Sequence, residues 1–126
     1  PNEILTHFTF QAEPHMGFIK LSMRKSMSIS IAGVGAYVKL DKDGKVADCR
    51  IALGAVAPTP VRAFNAEKAL LGKTLDEQTF EAVGEAVQGD MNPRNPSVRA
   101  TVTYRRAVVP VLVQRACKLA AYGECK

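Results

Sequence analysis

Between Leu53 and Gly72 the chain reads LGAVAPTPVRAFNAEKALLG, which passes within twenty residues from the end of an apolar strand, through two prolines, to a helical pattern closed by glycine. Proline lacks a backbone N–H and has a fixed φ, so Pro58 and Pro60 end a ladder and stiffen a corner. Gly72 suits the left-handed position that follows a helix, and the pattern predicts a helix over 61–71. Buried strand, rigid corner and helix in so short a span point to a mixed chain.

The residues before this corner read as strands. Positions 3–10 alternate, with Ile4, Phe8 and Phe10 on one side and Leu5, His7 and Thr9 on the other, as a half-buried strand would. Pro14 and Gly17 mark a loop. A second strand over 18–23 then places Ile19, Leu21 and Met23 on one face and Phe18, Lys20 and Ser22 on the other. Over 27–40 the apolar parity changes: Ile29 and Ile31 share one phase, and Val34, Ala36, Val38 and Leu40 share the opposite one. A bulge or short turn near Gly33 and Gly35 would restore the core side. Asp41-Lys-Asp-Gly44 is a hairpin turn, because Asp-Gly supplies the positive dihedrals that tight antiparallel connections need. The returning strand over 46–54 points Cys49, Ile51 and Leu53 inward and Asp48 and Arg50 outward.

After the corner the chain is helical. Thr74-Leu-Asp-Glu77 reads as a capping box, with the Thr hydroxyl accepting from the Glu77 amide. Phe80, Val83, Val87 and Met91 give the following helix its apolar stripe. GDMNPRNPS is a loop. A last helix over 102–122 carries Tyr104, Val108, Val111, Leu112 and Leu119 near one face, Arg105 and Arg106 on its polar side, and Pro110 in its interior. Strands first and helices afterwards predict an α+β, two-layer sandwich: a mainly antiparallel sheet of three or four strands covered on one face by three helices.

At 126 residues the chain closes one core, so 1–126 is read as a single domain. The +5 charge is dispersed, with no long basic block and no RNA-type aromatic motif, which argues against nucleic acid. No run spans a bilayer and no signal pattern opens the chain. Cys49, Cys117 and Cys125 form no CxxC pair, no metal-ligand spacing and no disulfide framework, and a reducing cytoplasm fits them. His7 and His15 lack a carboxylate partner pattern, and Gly33-Val-Gly35 lacks the third glycine of a phosphate loop. No catalytic residue and no metal site is assigned.

The signatures Glu3-Ile4-Leu5, Phe18-Ile19-Lys20, Arg24-Lys25, ALGAVAPTPVRA, Ala66-Glu67, Leu70-Leu71-Gly72-Lys73 and Tyr104-Arg105-Arg106 occur in one order along nearly the whole chain. In that order they resemble the C-terminal domain of the FAD-binding (medium) subunit of molybdenum hydroxylases, the xanthine dehydrogenase and carbon monoxide dehydrogenase flavoprotein family. Two positions depart from it: Ser28 and Ser97 stand where the family often has an acidic residue.

The resemblance implies an oxidoreductase part whose FAD is bound mainly by another domain of the same polypeptide, a domain that this sequence does not contain. The isolated chain is then expected to hold no cofactor and to be inactive. Iron-sulfur and molybdopterin subunits would be its further partners in electron transfer. It also implies that Leu5 and Lys20 approach the flavin, the Leu packing on the ring and the Lys ammonium stabilising a reduced, anionic flavin or a ring carbonyl. The alternation puts both on non-core faces of their strands. The other reading is a protein-protein interaction or dimerisation module without a direct cofactor role. The start at Pro1 is expected to mark an excised piece of a longer polypeptide.

Overall fold

The computed structural model describes residues 2–95 and 97–123. Pro96, in the second Asn-Pro step, and Cys125 lie outside them. Four strands form one antiparallel sheet in sequence order: β1 (Met16–Ser22), β2 (Ser30–Leu40), β3 (Val46–Gly54) and β4 (Val61–Arg62). Three helices follow, α1 (Phe64–Leu70), α2 (Glu77–Ala86) and α3 (Val102–Tyr122), with a 3-10 turn at Val87–Asp90 continuing α2. The architecture is the α+β, two-layer arrangement that the order of patterns predicts.

The β2–β3 hairpin follows its turn chemistry. Gly44 takes φ +75°, its N–H bonds the Asp41 carbonyl at 3.2 Å, and the Asp41 carboxylate accepts from the amides of Asp43 (2.9 Å) and Lys45 (2.8 Å). The parity change in β2 is real and is resolved by a bulge. Leu21 pairs with Ala32 and Ser22 with Ser30, so Ile31 is the extra residue, just ahead of the glycines. Beyond it Ala32, Val34, Ala36 and Val38 all enter the core. A second bulge, at Ala47, lets Val46 and Cys49 share the core face despite their odd spacing.

Three expectations are corrected. Residues 3–10 form no strand; they run irregular and exposed, because a strand needs a neighbour for its N–H and C=O groups and none lies beside this segment. The helix after the proline corner begins at Phe64. Val61 and Arg62 pair with Leu53 and Ala52 instead, and the Ala63 N–H donates to the Ile51 carbonyl at 2.8 Å. The cap of α2 is Asp76 rather than Thr74: its carboxylate accepts from the Thr79 amide at 2.8 Å and from the Thr74 hydroxyl.

The helices cover one sheet face only. α3 lies along β1 and β2, α1 on β3, and α2 packs between α1 and α3. Gly17 of β1 is the point of closest approach, since a Cβ built there would stand 2.4 Å from the Ala116 carbonyl oxygen. The buried stripe of α3 is Arg105, Val109, Leu112, Val113, Ala116, Cys117 and Ala120, whereas Tyr104 and Val111, which the pattern groups near one face with Leu112, are exposed. Asp90 caps α1 from a distance, accepting from the amides of Asn65 (3.2 Å) and Ala66 (3.1 Å).

Cys49 and Cys117 sit in this core as free thiols. Burial pushes the Cys49 thiol up to about 11, with the charges of Glu67 and Asp48 adding to the effect, and burial pushes Cys117 up to about 12. In the unfolded chain both ionise nearer their ordinary 9.0, so the unfolded state releases the protons first and stability falls as pH rises from 9 towards 11. At pH 8 both thiols are expected to resist a disulfide-exchange reagent in the native protein and to react on unfolding. Rapid native labelling of either, located by mass spectrometry, would contradict their burial.

Candidate functional site

Outward-pointing residues of the strands form the sheet's uncovered face, in rows fixed by register. Phe18, Gly35, Ala52 and Arg62 make one row, and Lys20, Gly33 and Gly54 the next. The Phe18 ring lies across the two β2 glycines, 3.8 Å from a Cβ built on Gly33 and 3.9 Å from one built on Gly35. Cβ atoms at either position would meet it in ordinary contact. Without them it forms a flat apolar floor beside Lys20.

Lys20 is exposed on β1, as its parity predicts, and its Nζ donates to the Ser28 carbonyl at 2.7 Å. That bond draws the ammonium against the β1–β2 connection, which is braced from within: Arg24 donates to the Met27 carbonyl at 2.7 Å and Ser22 to that of Arg24 at 3.0 Å. Met27 adopts φ +46°, a left-handed conformation costly for a side chain of this kind. A cavity of 520 Å³ opens between Lys20 and this loop. Leu5 is 71% exposed in the leading segment and is not among the residues lining that cavity. Strand parity therefore does not orient Leu5, although the side chain is uncovered as expected.

Exposure of large apolar side chains is concentrated in the first part of the chain. Of fifteen such residues, nine (Ile4, Leu5, Phe8, Phe10, Met16, Phe18, Met23, Met27 and Ile29) precede residue 30. Of these, Met23 and Met27 line the cavity beside Lys20. A second cavity of 640 Å³ runs along the same face, between Phe10, Gln11 and Glu13 of the leading segment and Tyr37, Arg50 and Arg62 of the sheet.

The edge of this face is fastened by a group that the sequence patterns did not assign. Glu67 is 8% exposed, and its Oε1 accepts from the Ile51 amide and from Arg62 Nε, both at 2.8 Å, while Oε2 accepts from Arg62 Nη2 at 2.9 Å. The side-chain hydrogen bond to Glu67 holds the Arg62 guanidinium above its ordinary value. Arg62 also lies over the Phe64 ring, 4.9 Å from its centroid. A legible signal existed: Glu67 falls with Ala66 and Leu70 on the buried side of α1, and a carboxylate there requires a partner.

Arg105 was likewise misplaced by pattern. It is 4% exposed, with Nε donating to the Ile31 carbonyl at 3.1 Å and Nη2 to Ser97 Oγ at 3.0 Å. Ile31 lies beyond the last β2–β3 pair and opposite no residue of β1, so Arg105 serves the carbonyl that the bulge leaves over. Arg106 remains outside and meets Gln88 of the 3-10 turn at 3.3 Å. Among the described residues no cluster of three or more His, Cys, Asp or Glu could hold a metal, and no helix is long and apolar enough to cross a membrane.

A sheet with one face packed under helices and the other left open, carrying Phe18 between Lys20 and the polar side chains of β3 and β4, defines an α+β two-layer module. Residues 18–120 match the CO dehydrogenase flavoprotein C-terminal domain, and the chain belongs to that family. It is 36% identical over 118 residues to a xanthine dehydrogenase FAD-binding subunit of Escherichia coli O157:H7, covering 90% of this chain and 40% of that protein. A glyceraldehyde dehydrogenase medium chain of Sulfolobus acidocaldarius is 32% identical over 99 residues, covering 79% of this chain and 34% of its own. Among solved structures, carbon monoxide dehydrogenase from Hydrogenophaga pseudoflava superposes with a TM-score of 0.76 at 32% identity, over 91% of this chain and 39% of that one. Quinoline 2-oxidoreductase from Pseudomonas putida 86 gives 0.77 at 27% identity, over 89% and 38%. The chain thus spans about two fifths of the length of the Escherichia coli subunit and of the Hydrogenophaga pseudoflava chain.

Proposed function

We propose that this chain is the C-terminal domain of the FAD subunit of a molybdopterin-dependent hydroxylase or dehydrogenase, and that its uncovered sheet face and leading segment close the flavin pocket. The observation that supports this most is the number of exposed apolar side chains before residue 30, with Met23 and Met27 beside Lys20 and Phe10 and Met16 along the open sheet face. The flavin itself is held mainly by an FAD-binding domain of the same polypeptide. FAD, when bound, supplies the redox chemistry between iron-sulfur centres and the acceptor.

The residues present suit a wall and not a cradle. Phe18 over Gly33 and Gly35 provides a smooth surface that excludes water, and Leu5 adds apolar contact without demanding hydrogen bonds. The Lys20 ammonium, one of whose donors is taken by Ser28, keeps others to orient a ring carbonyl. The bond to Ser28 also favours a second reading, in which Lys20 only shapes the β1–β2 loop of a docking module.

Lys20→Ala in the intact flavin subunit separates the two. On the first reading the assembled complex forms, flavin content falls, and flavin reduction slows by about tenfold, the kinetic equivalent of one lost charge-assisted hydrogen bond. Unchanged flavin content and reduction rate, with loss of assembly, would establish the docking module instead.

A further inference from the structure

The proline corner and the segment before α3 border a cavity of 990 Å³ whose charged lining residues are Arg94, Arg99 and Arg105, without a carboxylate. Thr59, Asn92, Asn95 and Ser97 add hydroxyl and amide groups to the lining. Arg105 is the decisive member. It is 4% exposed, and both of its hydrogen bonds go to neutral acceptors, the Ile31 carbonyl and Ser97 Oγ. Among the described residues the ion pairs formed are Arg50–Asp48 and Arg62–Glu67, so no carboxylate faces Arg105. A guanidinium taken this far out of water without a counter-charge is costly unless an anion completes it.

We propose that this cavity is an oxyanion site that takes a phosphoryl group, with Arg105 as its buried floor and Arg94 and Arg99 as its exposed arms. Guanidinium forks suit oxygens held in pairs, and the surrounding hydroxyl and amide donors suit a tetrahedral group with several acceptors. A volume of this size admits more than a bare ion, so free phosphate and a phosphate monoester share the chemistry. The proposal rests on no part of the flavin reading.

Inorganic phosphate is the probe. The protein is melted in phosphate-free buffer and in rising phosphate, with sodium chloride at matched ionic strength as the control. At ten times the dissociation constant the melting temperature rises by about 5 °C in phosphate and not in chloride. The double variant Arg94→Ala/Arg99→Ala, altered only at exposed positions, keeps its melting temperature in chloride and loses the phosphate response. Ser97→Asp places a carboxylate beside Arg105; it melts higher without phosphate and no longer responds to it. Glycerol 3-phosphate in place of phosphate tells the sources apart: a tighter response marks a monoester site, an equal or weaker one a site for the free ion. A phosphate shift equal to the chloride shift, or one that survives in both variants, overturns the proposal.

Discussion

Glu67→Ala is expected to destabilise the fold by about 3 kcal/mol and to lower the melting temperature by about 10 °C. The loss has two sources. The Ile51 amide, in the middle of β3, is left buried without its acceptor, and the guanidinium of Arg62 loses both of the oxygens that hold it along the sheet edge. Arg62 is half-exposed and can return to water, so the larger share falls on Ile51. Glu67→Gln keeps the shape and one oxygen, and it should lose less than half as much. In a double-mutant cycle with Arg62→Met, the two substitutions should fall short of additivity, because each removes the same pair of hydrogen bonds. A Glu67→Ala protein melting within two degrees of the parent, about 0.5 kcal/mol, would mean that the strand-to-helix corner is held by its prolines and backbone alone.

Elements whose signals are local are the ones legible in the sequence. Strand β3 (Val46–Gly54) and helix α3 (Val102–Tyr122) match their expected limits because the signals are local: Asp43-Gly44 turns the chain, and Thr101 and Gly123 cap the last helix. The start of α1 was not legible in this way. Val61 and Arg62 are strand only because Leu53 and Ala52, some ten residues back, offer them a free edge. Alternation over 3–10 is present in the residues but finds no partner strand in this fold. Parity placed Lys20 correctly on the uncovered face, since Ile19 and Leu21 on either side are drawn to the helices. For Leu5 the same logic had no sheet to act on. Charge alone assigns Arg105 to the polar side of α3. Its spacing with Val109, Leu112 and Ala116, on one helical stripe, gives the burial away.

Gly17→Ala should cost about as much, near 3 kcal/mol, by a different mechanism. Gly17 has ordinary backbone geometry, so no conformational penalty attaches to a side chain there, and the effect is steric. The added Cβ would meet the Ala116 carbonyl oxygen at 2.4 Å, the Ala120 nitrogen at 2.9 Å and the Leu119 Cβ at 3.1 Å. Two of these three obstacles are helix backbone, which cannot rotate away. α3 must therefore withdraw from β1, opening space around Ala116 and Ala120, both of which are now buried. Gly35→Ala provides the contrast, since its Cβ would meet only the edge of the Phe18 ring at 3.9 Å, an ordinary contact on the open face. It should melt within about 3 °C of the parent, as one kilocalorie or less would dictate. Trimming Leu119 to alanine in the Gly17→Ala background leaves the Cβ and both backbone contacts in place, so it should recover none of the lost stability. Recovery in that double variant, or a Gly17→Ala protein as stable as the parent, would mean that α3 rides further from β1 than the 2.4 Å approach requires.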